Sequence, residues 1–168
     1  MQFLAMAVIL VAAVASAVVL PKRDAAIWKS PFSGTIVSPA ANDTIVPGVE
    51  FPFEYDISNW CESAYSPFTV YLTEAPPSFD NVTTNGTLAP GTYIHNFGTY
   101  LVSNFGLPLS DDAKSPPPSF VLPEAIARVY PITQRFFSVV QEYDGCPGHI
   151  AKEFSVTFVP ILVDGSSA

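Results

Sequence analysis

The sequence predicts an all-β protein, an antiparallel β-sandwich of about seven or eight short strands held by one disulfide. Three observations carry this reading. Beyond Leu20 the hydrophobic residues recur with a period of two and almost nowhere keep the period of a helix. Clusters rich in Pro, Gly, Asn and Asp punctuate these runs as turns. The chain of 168 residues also holds an even pair of cysteines, Cys61 and Cys146.

The clearest strand is 49–57. Val49, Phe51, Phe53, Tyr55 and Ile57 fall on one face and Glu50, Pro52, Glu54 and Asp56 on the other, as in a strand with one buried face. Pro52 has no amide to donate, so at that point the strand should lie at an edge or face an unpaired neighbour. Pro47-Gly48 supplies the turn that precedes it. Further strands are expected at 35–38, 68–73, 92–96, 99–103, 120–122, 136–143 and 154–159, with turns at 74–77, 84–91, 106–119 and 144–148. Residues 123–128 read as at least one helical turn, opened by a proline that a helix start tolerates. Residues 111–119, with Pro116-Pro117-Pro118, read as a flexible connection.

The N-terminus predicts secretion. From Phe3 to Ala17 the chain is uncharged and almost wholly apolar, and it closes on Ala15-Ser16-Ala17, the small-x-small pattern of a cleavable signal peptide at 1–17. A membrane anchor is the alternative, but the uncharged run ends at Leu20, marginal for a bilayer that needs ~20 apolar residues. In the N-terminal segment 18–30, Lys22-Arg23 is either a dibasic processing site or a plain basic pair on a frayed end. Residues 31–163 are assigned to the sandwich, and 164–168 to a tail without the spacer and apolar stretch of a lipid-anchor signal. A secreted extracellular or cell-wall protein with no stable membrane anchor is therefore expected.

That compartment gives the cysteines and three sequons their meaning. Outside the cell, Cys61 and Cys146 are most simply one disulfide. Each lies just past an expected strand, so the bridge ties two loops at one end of the sandwich, unlike the central bridge of antibody domains, with Trp60 beside it. Closing a loop of about 85 residues is worth roughly 4 kcal/mol in the chain-entropy account. Asn42-Asp43-Thr44, Asn81-Val82-Thr83 and Asn85-Gly86-Thr87 are candidate N-glycosylation sites, and a glycan must lie at the surface. Acidic residues outnumber basic ones 15 to 7, for a net charge of −8, and loss of Lys22 and Arg23 would take it to −10. Nucleic acid and anionic membranes are thereby disfavoured as partners.

The stretch Ile36-Val37-Ser38-Pro39-Ala40-Ala41-Asn42-Asp43-Thr44-Ile45-Val46-Pro47-Gly48-Val49-Glu50-Phe51-Pro52-Phe53-Glu54-Tyr55 resembles the opening of fungal secreted immunoglobulin-like domains. Among them is the N-terminal module of the Ser/Thr-rich, glucan-assembly-related cell-wall proteins, where a strand, Ser-Pro, a loop and a Gly lead into an alternating strand. The resemblance implies an immunoglobulin-like sandwich and a cell-surface setting. This chain lacks that family's Ser/Thr-rich tail and lipid-anchor signal and adds the cysteine pair, so no functional residue carries over.

No catalytic, metal or cofactor motif stands out. A copper-dependent polysaccharide oxidase would need a His at its mature N-terminus. Neither Val18 nor Asp24 is one, and His95 and His149 alone make an incomplete site. Glycoside hydrolysis needs two carboxylates ~5–10 Å apart. The pairs Glu54/Asp56 and Glu142/Asp144 have suitable spacing, but outward acids in so acidic a chain ordinarily serve solubility. There is no Gly-x-Ser-x-Gly elbow and no phosphate-cradling glycine loop. Gly145-Cys146-Pro147-Gly148-His149 reads as a disulfide-pinned turn. The remaining resource is aromatic: Trp60, Tyr65 and Tyr71 are candidate ligand-binding rings, with Tyr93 and Tyr100 behind them, although each also suits a core. The expected function is non-enzymatic binding of a cell-wall glycan or an extracellular protein, without a cofactor. The alternatives are a secreted polysaccharide-active enzyme, oxidative or hydrolytic, and a structural or effector protein without a small-molecule ligand.

Overall fold

The longest strands form where apolar side chains occupy both faces. In a computed structural model that describes residues 27–127, 132–144, 146 and 152–166, these are β6 (Tyr65–Thr73), β9 (Ile132–Tyr143) and β10 (Lys152–Asp164), paired antiparallel with β9 in the middle. The signal-peptide and dibasic readings, and with them Arg128 and His149, fall outside the described residues. β7 (His95–Ser103) extends the sheet beyond β6, while β1 (Ile27–Lys29) and β3 (Thr44–Ile45) both pair with the free edge of β10. Two small antiparallel sheets lie against this one: β2 (Thr35–Ser38) with β5 (Glu54–Asp56), and β4 (Glu50–Pro52) with β8 (Ser119–Val121). Among the described residues there is no α-helix. The helical turn expected at 123–128 is a 3-10 turn at Glu124–Ala127, and a second, capped by Ser78, spans Phe79–Asn81.

The fold is all-β and carries the expected Cys61–Cys146 disulfide, but its pairing is not wholly antiparallel, since β1 and β3 run parallel to β10. Pro160 explains how both fit. The Leu162 amide donates to the Asp43 carbonyl, so even-numbered amides of β10 in this stretch face the β1/β3 side. Pro160 therefore puts its missing amide in the gap between β1 and β3, and its carbonyl accepts from the Asn42 amide. β10 thus continues to Asp164, past the end at 159 that a proline suggests. The runs expected at 92–96 and 99–103 are instead the single strand β7, with Phe97 as the extra residue of a bulge opposite Val70 and Tyr71.

The run 49–57 keeps its alternation but changes partner at Phe53. Before it, β4 pairs with β8, and the Phe53 amide still donates to Pro118. After it, the opposite edge pairs with β2, so Pro52 turns its missing amide past the end of β2. The odd-numbered side chains fill the main core. Phe51 and Phe53 pack with Phe120 against Phe68, Phe137 and the bulge residue Phe97, the rings tilted or edge-on at centroid separations of 4.7–6.3 Å.

The other face of the sheet is covered by the connection between β6 and β7. Val82 and Leu88 bury themselves on Tyr71, Val140 and Phe154, with Phe79 and Tyr93 alongside, and the Leu88 amide donates to the Tyr71 hydroxyl. Gly86, at φ +75°, lies so close to the Phe154 ring that a Cβ would collide with it.

Adjacent residues of β9 test this division of faces. Phe137 is fully buried, whereas Phe136 is half-buried beside the exposed Phe158. In urea denaturation Phe137→Ala is expected to cost about 3–5 kcal/mol and Phe136→Ala about 1 kcal/mol. Equal costs would contradict the register.

Candidate functional site

β6 and β10 begin, and β7 and β9 end, at one end of the large sheet, and β1 pairs with β10 there. The loops at this end are held by a buried amide. Gln141 of β9 is wholly buried in the space between the layers. Its Oε1 accepts from the Tyr55 hydroxyl at 2.9 Å and from the Ser58 amide at 3.3 Å, and its Nε2 donates to the Ser58 carbonyl at 2.6 Å. The loop that leaves β5 is thus bonded to the central strand. Burial raises the Tyr55 pKa, with the neighbouring Tyr143 adding to the shift, so the hydroxyl stays a neutral donor. Gly34 is required here because a Cβ would collide with the Tyr55 hydroxyl and the Asp56 carbonyl.

Three residues further on, the disulfide ties the same loop to the β9–β10 connection. Cys61, Cys146 and Tyr143 form a small buried cluster with Trp60 packed on it. The Trp60 indole donates to the Ser30 hydroxyl, its ring tilted between Phe32 and Tyr143. The Tyr143 hydroxyl donates to the Phe32 carbonyl, and burial raises its pKa as well. Asn59 closes the loop by bonding both the amide and the carbonyl of Ser63, and Asn104 after β7 donates to the Ser63 carbonyl and the Ser66 hydroxyl.

Large apolar side chains nevertheless stand exposed at this end. Trp28 is 50 % exposed, Phe32 54 %, Phe105 73 % and Leu107 40 %. Glu153 lies across from both Trp28 and Tyr143, and its Oε2 is buried without a hydrogen-bond partner.

The residues singled out in the sequence fall elsewhere or serve packing. Trp60 is half-buried with its N–H engaged, and Tyr65 is half-buried with its hydroxyl donating to the Pro108 carbonyl. Tyr71 lies in the second core, with Tyr93 against it. Tyr100 donates to the Phe97 carbonyl and is half-buried. His95 packs edge-on against Phe97, and burial lowers its pKa. Among the described residues no three metal-ligating side chains gather. Glu54 and Asp56 face solvent, and Glu142 pairs with Lys152 at 2.6 Å. Asn42 and Asn85 are exposed, while Asn81 is half-buried in the Phe79–Asn81 turn. No helix among the described residues is long and apolar enough to cross a membrane.

Compared with known protein families, curated proteins and solved structures, the chain matches none.

The Gln141 contacts give a direct test. Gln141→Leu leaves the Tyr55 hydroxyl and both backbone groups of Ser58 without this partner. It is expected to destabilise the oxidised protein by about 3 kcal/mol or more in urea denaturation. Tyr55→Phe, which removes one donor, is expected to cost about 1 kcal/mol.

Proposed function

We propose that this is a secreted, extracellular or cell-wall-associated, non-enzymatic domain that binds another protein through the disulfide-pinned end of an immunoglobulin-like β-sandwich. The observation that carries the proposal is the exposure of large apolar side chains at this end of the sheet, Trp28 and Phe32 beside the disulfide cluster and Phe105 and Leu107 past β7 at the opposite edge, on hydrogen-bonded elements. Exposed apolar groups beside polar ones mark interaction surfaces, and functional residues concentrate on loops placed by a rigid scaffold. The packing of the two small sheets on one face of the larger sheet supports the sandwich, and the signal-peptide pattern and disulfide support secretion.

A protein partner is favoured over a glycan by the orientation of the rings. A sugar-binding platform needs aromatic faces that lie open and roughly parallel. Here Phe32 and Trp60 meet at 50°, Tyr65 is engaged through its hydroxyl, and Tyr71 is buried.

The test uses the full-length secreted protein with its disulfide intact. It is expected not to be retained on glycan arrays or insoluble cell-wall polysaccharides, and to form a saturable complex with an extracellular protein. Trp28→Ser combined with Phe32→Ser should weaken that complex at least about tenfold, as expected when exposed aromatic anchors are removed. Retention on polysaccharide that survives the double substitution would contradict the proposal.

A further inference from the structure

Phe105 has the highest exposure of any large apolar residue among those described, 73 %, and its backbone lies in the left-handed region at φ 57°. A bulky side chain there is a genuine outlier, since its Cβ crowds the backbone. Such a conformation persists only where the surroundings impose it, and here they do. The Asn104 amide donates to the Ala64 carbonyl at 2.9 Å, and its side chain holds Ser63 and Ser66. The Leu107 amide returns to the Asn104 carbonyl, the Ser103 hydroxyl bonds the Leu107 carbonyl, and the Tyr65 hydroxyl donates to the Pro108 carbonyl. The fold thus holds an aromatic ring in water at a backbone angle that disfavours it. Folding alone gives no steric reason for this, since glycine adopts the same angle without crowding a Cβ.

We infer that Phe105 is the anchor of the proposed binding surface and seats in an apolar pocket of a protein partner whose rim is basic. This rests on the protein-binding reading above. A ring fixed before association loses little conformational freedom on docking, and aromatic anchors in desolvated pockets carry much of the energy of such interfaces. Charge chooses between a protein pocket and a lipid surface. Exposed Glu62 stands on the loop bonded to Asn104, and exposed Asp111 and Asp112 follow the turn against exposed Lys114, in a chain of net charge −8. Anionic headgroups are repelled by this set, whereas lysines and arginines around a pocket complement it.

The experiment places a photoreactive benzophenone side chain at position 105 of the full-length oxidised protein. It maps the adduct on the extracellular partner, then measures affinity with that partner purified. The adduct is expected on an apolar segment bordered by Lys or Arg, with binding that weakens as salt rises. Phe105→Gly should weaken binding at least about tenfold while the variant still folds, because glycine adopts the left-handed angle readily. If Phe105→Gly binds within about twofold of wild type while the Trp28/Phe32 variant fails, the anchor is overturned and the protein-binding reading stands. If neither variant changes binding, both are overturned. Wild-type sedimentation with phosphatidylcholine or phosphatidylserine vesicles, lost in Phe105→Gly, would make the occupant lipid and overturn the inference.

Discussion

The arrangement of the loop end depends on one buried side chain. Gln141 sits on the central strand of the large sheet, where an unpaired amide would be costly, and its oxygen and nitrogen are both satisfied by one short stretch of chain, Tyr55 to Ser58. The consequence is geometric. With Ser58 fixed against β9, Asn59 can close its turn, Trp60 lies over Tyr143, and Cys61 comes opposite Cys146. The disulfide and the amide act on different states. The bridge joins residues 85 apart and restricts the unfolded chain, by roughly 4 kcal/mol in the chain-entropy account, whereas Gln141 acts only once the native core exists. Together they turn what would be mobile loops into a fixed support for exposed aromatic groups.

The two faces of the large sheet are closed by different means. On one, a phenylalanine-rich core is shared with two small sheets. On the other, an irregular segment lies across the strands, bonded to Tyr71 and pressed on Phe154 at Gly86. That segment carries two of the three sequons, and its tip leaves Asn85 in solvent while Asn81 lies half-buried. The sheet beneath this segment is not open to a partner, and the tip of the segment reaches Phe154 near the start of β10.

Much of this was legible in the sequence where alternation was strong. The stripe of Phe51, Phe53 and Tyr55, and the two cysteines just past strand ends, led to the main core and to the pinned end. Other features were hidden for physical reasons. β1 and β3 are too short to show a period and owe their existence to the free edge of β10. Pro160 reads as a strand stop unless the gap between those two edges is known. The connection after β6 looks like a solvated turn because its few apolar residues, Phe79, Val82 and Leu88, follow no period, yet each packs on the sheet. Tyr71 looked available because aromatic composition cannot say which face of a sheet is covered. Phe105 was missed altogether. Its signal is a positive φ imposed by hydrogen bonds from residues 40 positions earlier, around Ser63 to Tyr65, and an aromatic between Asn and Gly does not announce it.

The central claim is that the loop end is rigid because it is bonded through Gln141 to β9. Native-state hydrogen exchange tests it most directly. In the oxidised protein the amides of Ser58, Glu62, Ser63 and Asn104, each with an intramolecular acceptor, should exchange slowly and in concert with β9. In Gln141→Leu their protection should collapse while β9 itself keeps the greater part of its own. Exchange of these four amides at the rate of an unstructured peptide in the wild-type protein would contradict the account.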